Sequence, residues 1–245
     1  MYLQLPRKLN IYLERVSAHK SLKARQSFTQ RTLPFYCYFR YVDFLNVMSY
    51  DFHGKWETKT GHNAPLFAHA NETEWRKMLS VEYGVKLWEK MGTPKEKIVV
   101  GTATYGRTFT LANKASYAMN APSAGGGTQG EFTRESGFLS FYEICEMLKN
   151  GATYLWDDEQ QVPYAVQDDQ WVGFDDERSI RLKMKWIIEN GYGGAMVWTV
   201  DMDDFTGGCT GAQVQISICF IFNGRVCPKT IIELHVPNVL LTLIR

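Results

Sequence analysis

The chain has 245 residues, 45% of them hydrophobic, and a formal net charge of +1. That is enough apolar material for one large domain or two modest ones, and it excludes general disorder. The near-neutral balance gives no electrostatic case for nucleic acid or a membrane surface as a partner.

Residues 1–39 differ in character from the rest of the chain. The first 40 residues carry eight bases (Arg7, Lys8, Arg15, Lys20, Lys23, Arg25, Arg31, Arg40) and one acid, Glu14. Such a balance suits a transit peptide, a basic arm or a solvated extension, and we read it as the extension. Leu9, Tyr12, Leu13 and Val16 recur at helical spacing and predict a short basic amphipathic helix. The opening residues lack the apolar stretch and cleavage site of a secretory signal. No run of 18 apolar residues occurs anywhere, so no membrane-spanning helix is expected.

Next comes YVDFLNVMSY, a nearly continuous apolar run of the kind found in a parallel strand buried on both faces. A loop with Gly54, Trp56, Gly61, His62, Asn63 and Pro65 succeeds it. A helix is predicted from about Ser80 to Met91, with Ser80 as cap, Val81, Val85 and Trp88 on one face, and Gly92 as stop. KIVVGTATYG reads as a second buried strand.

Residues 108–174 then form a long insertion. It contains a loop, APSAGGGTQG, a helical stretch, SFYEICEMLKNG, and three strand-like pieces, TYLWD, VPYAV and QWVGF. A helix is expected at about 177–190, with Ile180, Met184, Ile187 and Ile188 on one face and Gly191 past its end. GGAMVWTVD supplies a third buried strand. After Cys209 the chain is apolar and nearly uncharged, with no clean period, and no function is assigned to it.

The order is strand, helix, strand, insertion, helix, strand. This is a parallel α/β pattern with polar groups at the carboxyl ends of the strands. Three such ends align: Met48-Ser-Tyr50-Asp51, Thr104-Tyr105-Gly-Arg107 and Met196-Val-Trp198-Thr-Val-Asp201. Each brings an aromatic ring and a polar or charged group to the same edge. Taken singly, Trp198 reads as a core tryptophan, Tyr50 and Asp51 as strand-end residues, Trp56 as a surface residue, and Arg107 with Glu135 as a structural pair. His53 reads as a structural hydrogen-bonding residue. The pairs Asp157-Asp158, Asp168-Asp169 and Asp175-Asp176 read as turn and cap residues. Gly125-Gly126-Gly127 lacks the ending of a phosphate loop and reads as a flexible turn. The five cysteines, Cys37, Cys145, Cys209, Cys219 and Cys227, form no Cys-x-x-Cys, which argues against zinc. Their pairing stays open on spacing alone.

Six stretches resemble family-18 glycoside hydrolases, the animal chitinases and chitinase-like lectins. In order they are VDFLNVMSYDFHGKWE, KIVVGTATYGRTFTL, ESGFLSFYEIC, GATYLWDDEQQVPYA, WVGFDDERSI and GGAMVWTVDMDDFTGGC. The resemblance covers about residues 40–209. It implies an α/β fold: the last three strands of a (β/α)8 TIM barrel, from 40–107 and 175–209, with a small α+β domain at 108–174. Residues 1–39 and 210–245 would lie outside the family.

The family's reaction is substrate-assisted retention on β-1,4-linked N-acetylglucosamine, an exception to the two-carboxylate scheme. The acetamide attacks its own anomeric carbon while a glutamic acid protonates the leaving oxygen. The resemblance implies that Tyr50 donates to the acetamide oxygen and Asp51 accepts from a sugar hydroxyl. It makes Met48 and Met196 the apolar floor and Trp198 the central stacking platform. Trp56 and Tyr105 would meet neighbouring sugars, and Arg107 and Glu135 would add charged hydrogen bonds along the cleft. It also implies a Cys145–Cys209 disulfide and an extracellular setting, and leaves Cys37, Cys219 and Cys227 unassigned.

The partner implied is chitin or a chitooligosaccharide, with no cofactor and no metal. The family's catalytic signature, Asp-x-x-Asp-x-Asp-x-Glu, occurs nowhere in these residues. Without the proton donor, hydrolysis by this chain is expected to fall by orders of magnitude. The resemblance implies the C-terminal portion of a chitinase-type glycoside hydrolase, with a noncatalytic chitooligosaccharide-binding lectin and a non-functional truncated product as the two alternatives. Without the other strands, the flank of the first family strand is expected to be bare.

Overall fold

The computed structural model describes residues 11–14, 42–205 and 207–209. Two sheets organise them. The first runs β1 (Ile11–Glu14), β2 (Phe44–Val47), β3 (Ile98–Ala103) and β10 (Gly194–Trp198), in that order. β2, β3 and β10 are parallel, with Leu45 opposite Ile98 and Val99 opposite Gly194. The three strands expected from sequence are these three, but β10, expected to be buried, is half-buried along all its residues.

β1 departs from expectation. Helical spacing predicts a helix there, yet Ile11–Glu14 forms a strand antiparallel to β2, with Ile11 opposite Val47 and Glu14 opposite Phe44. A sheet edge offers a row of unpaired backbone donors and acceptors, and pairing them outweighs a weak local preference. The flank of β2 is therefore covered over these four residues.

Two helices pack beside this sheet. α2 (Val81–Lys90) starts at Ser80, whose hydroxyl accepts from the Tyr83 amide. Its buried face is Val81, Gly84, Val85 and Trp88. Burial of Val85 and Trp88 contributes roughly 1.5–3 kcal/mol each. Met91 caps the helix, and Gly92 turns the chain at φ 95°. α4 (Glu177–Glu189) is capped by Asp176, which accepts from the Ser179 amide at 2.8 Å. It buries Ile180, Met184 and Ile187 as expected, but also Lys183 and Trp186. Ile188, predicted on the buried face, is 40% exposed. A short helix, α1 (Glu74–Lys77), has no counterpart among the elements expected from sequence.

Between β3 and β10 lies a second, antiparallel sheet. It comprises β4 (Tyr105–Leu111), β5 (Ser123–Gly126), β7 (Thr153–Asp157), β8 (Val162–Gln167) and β9 (Gln170–Gly173), in the order β5-β4-β9-β8-β7, with β6 (Phe138–Ser140) on β4. The glycine-rich stretch expected as a turn is in part strand: Gly126 pairs with Phe109 and Gly125 with Thr110. α3 (Phe141–Lys149) covers one face and begins in a capping box in which Ser140 and Glu143 satisfy each other's backbone. Phe109 and Trp171 centre one small core of this unit, and Ile144, Val172 and Phe174 centre another. β4 starts one residue after β3, past Thr104, so its first residues stand at the carboxyl edge of the parallel strands.

Candidate functional site

The site starts where β2 stops. Ser49 donates through its hydroxyl to the Gly101 carbonyl at 2.8 Å, tying the end of β2 to the neighbouring strand. A Cβ on Gly101 would lie 2.5 Å from the Val47 carbonyl oxygen, 2.9 Å from the Tyr50 ring and 3.2 Å from the Met196 methyl. Glycine is thus required for Tyr50 and Met196 to approach each other across the sheet. Tyr50 is 7% exposed, and its hydroxyl is buried with no hydrogen-bond partner. An unpaired buried hydroxyl costs on the order of 1–3 kcal/mol. Burial, helped by the neighbouring Asp51 charge, pushes the Tyr50 pKa well up, so the hydroxyl keeps its proton.

Asp51 comes next with φ 60°, a left-handed conformation that aspartate tolerates better than most residues. Its amide donates to Asn63 Oδ1 at 3.0 Å, and Asn63 Nδ2 donates to the Tyr105 carbonyl, also at 3.0 Å. One asparagine therefore fixes the ends of two elements. The Asp51 carboxylate receives three donors on Oδ1: the Tyr105 hydroxyl at 2.8 Å, Arg107 Nε at 2.7 Å and Arg107 Nη2 at 2.7 Å. Oδ2 makes no hydrogen bond among the described residues, and the Asp51 side chain is 38% exposed. Burial and the Asp51 charge also hold the Tyr105 hydroxyl well above its usual pKa.

Aromatic rings surround Arg107. Its guanidinium lies 5.3 Å from the Trp56 ring centre, 5.6 Å from Tyr105 and 5.1 Å from Phe138. Tyr105 stacks on Phe138 at 4.8 Å and meets the edge of Tyr50 at 6.1 Å. Cation–π contacts with three rings, added to the carboxylate, hold the arginine in one place. Trp56 itself is 44% exposed and rests on Gly54, where a Cβ would collide with the indole at 2.4 Å.

Of the nine residues predicted for binding, five meet in one cluster. Tyr50 and Tyr105 are buried in the main core, and Met48, Met196 and Trp198 pack half-buried against it. Trp198 ends β10; its carbonyl accepts from the Thr104 amide at 3.1 Å, and its peptide bond to Thr199 is cis. Asp51, Arg107 and Trp56 stand beside this floor, bonded and stacked as above. Glu135 is apart from Arg107: it pairs with Lys55 at 3.1 Å on the exposed rim, and Lys55 also donates to the Ser136 carbonyl. Arg107 prefers Asp51 because that carboxylate is half-buried beside it.

Behind the floor lies a polar network that sequence reasoning missed. Lys183 and Asp175, each about 1% exposed, pair at 2.6 Å, and Lys183 also donates to the Ala64 carbonyl at 2.6 Å. His62 Nε2 contacts the Phe174 carbonyl at 2.8 Å and the Pro163 carbonyl at 3.1 Å, while Nδ1 accepts from the Ala64 amide at 3.0 Å. These contacts require the neutral imidazole protonated on Nε2. Burial lowers the His62 pKa to about 4. Burial likewise lowers that of Lys183, against the pull of Asp175. In the sequence Asp175 reads as a turn or cap residue, and no local pattern links it to Lys183. His53 is buried and bonds Glu57 at 2.8 Å, the structural role expected of it.

The Cys145–Cys209 disulfide is present, with Cα atoms 5.3 Å apart. Asp204 shapes the turn that delivers Cys209, accepting from the Gly208 and Cys209 amides at 2.8 Å each. Cys37, Cys219 and Cys227 lie outside the described residues. Among the described residues no cluster of His, Cys, Asp or Glu could hold a metal, and no helix is long and apolar enough to cross a membrane.

Comparisons with known proteins extend this picture. The family model of the glycosyl hydrolases family 18 matches residues 23–203. Human chitinase-3-like protein 2 is 48% identical over 168 residues, which are 68% of this chain and 43% of that protein. Mouse chitotriosidase-1 is 43% identical over 68% of this chain and 35% of its own length. Among solved structures, an immunomodulatory active chitinase from Trichuris suis superposes with a TM-score of 0.69 at 45% identity, covering 71% of this chain and 47% of that one. Human YKL-39, described as a pseudo-chitinase with retained chitooligosaccharide binding properties, gives 0.69 at 45% identity over 71% of this chain and 48% of its own. The chain spans less than half the length of these relatives. On the family match and these identities, the chain belongs to glycosyl hydrolase family 18.

Proposed function

We propose that the chain carries one half of a chitooligosaccharide-binding cleft and binds the sugar without hydrolysing it. Residues 40–107 and 175–209 are read as the last three strands of a (β/α)8 barrel, and 108–174 as the insertion domain that walls the cleft. The observation that carries the reading is the half-exposed Asp51, its Oδ1 saturated by Tyr105 and Arg107 and its Oδ2 unengaged, beside the unpartnered Tyr50 hydroxyl. A carboxylate oxygen and a buried hydroxyl over an apolar floor match the acceptor and donor needs of a sugar hydroxyl and an acetamide oxygen. Met48, Met196 and Trp198 supply the floor, Trp56 and Tyr105 flank it, and Glu135 with Lys55 forms a charged rim.

The noncatalytic reading rests on the absence of Asp-x-x-Asp-x-Asp-x-Glu from the 245 residues. It is favoured by likeness to a pseudo-chitinase that retains chitooligosaccharide binding. Disulfide bonding favours an extracellular setting. The test is a titration of tryptophan fluorescence with a chitin tetrasaccharide, run alongside a chromogenic chitobioside. Saturable quenching with no chromophore release is expected. Chromophore release would restore an enzyme, and no spectral change up to millimolar sugar would leave the truncated-product reading.

A further inference from the structure

We infer that Asn71 is an N-glycosylation site. Asn71-Glu72-Thr73 is the one Asn-x-Ser/Thr triplet in the sequence whose middle residue is not proline. It falls on the turn that leads into α1, with Asn71 and Thr73 exposed and Glu72 between them buried. Glu72 anchors the turn inward: its carboxylate lies 3.7 Å from Arg76 Nε and 3.4 Å from Asn120 Nδ2. Its neighbours are thereby turned to solvent. The backbone amide of Asn71 contacts His69 Nδ1 at 3.4 Å, while its side-chain amide has no partner among the described residues. A glycan on Nδ2 therefore displaces no contact of the fold. The Thr73 hydroxyl caps α1 by accepting from the Arg76 amide, and it remains at the surface.

A second observation bears on the compartment. Cys145–Cys209 is a disulfide, and such bonds form and persist where the surroundings are oxidising. The secretory lumen, where glycans are transferred to asparagine, is one such setting. The donor is a polyprenyl-pyrophosphate-linked oligosaccharide. Asn71 Nδ2 attacks its anomeric carbon, the C–O bond to pyrophosphate breaks, the lipid pyrophosphate leaves with the electron pair, and the amide proton passes to a base of the transferase. None of this depends on whether the cleft binds sugar.

The test is translation of the full chain, behind a cleavable secretion leader, in the presence of endoplasmic-reticulum microsomes. The protease-protected product is then digested with peptide N-glycosidase. The expected result is a loss of mass equal to one glycan, with Asn71 converted to aspartate in the peptide spectrum. Asn71→Gln and Thr73→Ala abolish the shift, and Thr73→Ser keeps it. Transfer takes place on the emerging chain, so a variant that folds poorly still reports. An unmodified Asn71 peptide in the protected wild-type product overturns the assignment, as does a shift that survives Asn71→Gln. A glycosylated product that fails to form Cys145–Cys209, when the unglycosylated one forms it, contradicts the exposed placement.

Discussion

Asn63 joins the backbone at Asp51 to the backbone at Tyr105, beside the side-chain bonds that Tyr105 and Arg107 make to the Asp51 carboxylate. It accepts from the amide of Asp51, which sits at φ 60°, and donates to the carbonyl of Tyr105. Without it, a left-handed aspartate and a buried carbonyl both lose their partner, at a cost on the order of 1–3 kcal/mol for each buried group left unpaired. Asn63→Ala is expected to lower the melting temperature and to speed hydrogen exchange at the Asp51 amide. Unchanged exchange at that amide would show that Asn63 does not hold it. Neither its period nor its neighbours distinguish this asparagine from loop filler, because its partners lie 12 and 42 positions away. Tyr50, Asp51 and Trp198 become candidates through the ordered family motifs, since singly they read as strand-end and core residues.

Among the elements, the loop at residues 62–64 is pinned to the antiparallel sheet and to α4. His62 reaches the carbonyls of β8 and of the segment after β9, and Lys183 of α4 reaches the Ala64 carbonyl. The folded-state pKa of His62, about 4, lies below the ordinary histidine value near 6.5. The unfolded chain therefore binds this proton first. The stability that neutral His62 confers is complete above about pH 6.5 and is lost as pH falls toward 4, by an amount on the order of 3 kcal/mol. Melting temperature is expected to fall over that window, and His62→Gln is expected to flatten the slope while lowering the plateau at neutral pH. An equal slope in wild type and variant would place the acid sensitivity elsewhere. α2 and α4 are legible from their apolar spacing and caps. β1 and β5 are not, because a sheet edge recruits whatever backbone reaches it, including a glycine-rich one.

Across the molecule, two features near the carboxyl edge tie the parallel sheet to the antiparallel one, the one-residue step from β3 to β4 and the disulfide from α3 to the segment after β10. The second closes a separation of 64 residues. Chain-entropy reasoning assigns such a cross-link roughly 4 kcal/mol. Cys145→Ser is expected to lower stability by about that much in denaturant unfolding. A change under about 1 kcal/mol would mean that the sheets hold each other without the bond. The parallel three-strand core is readable from the order of strands and helices, and the inserted unit from its helical and strand-like pieces, but the antiparallel pairing of those pieces is not. The pairing of Lys183 with Asp175 is not, since a lysine on a helix ordinarily marks the solvated face.

Asp51, held by Tyr105, Arg107 and Asn63, is proposed above as the sugar-binding edge of a cleft that binds without hydrolysing. Calorimetric titration with a chitin tetrasaccharide, paired with an assay for new reducing ends, tests this on wild type and Asp51→Ala. Loss of one hydrogen bond from a charged group predicts binding weaker by about tenfold or more in Asp51→Ala. Saturable binding in wild type, that loss in the variant and no new reducing ends in either are expected. Equal binding by both proteins, no binding by wild type, or release of reducing ends would contradict the proposal.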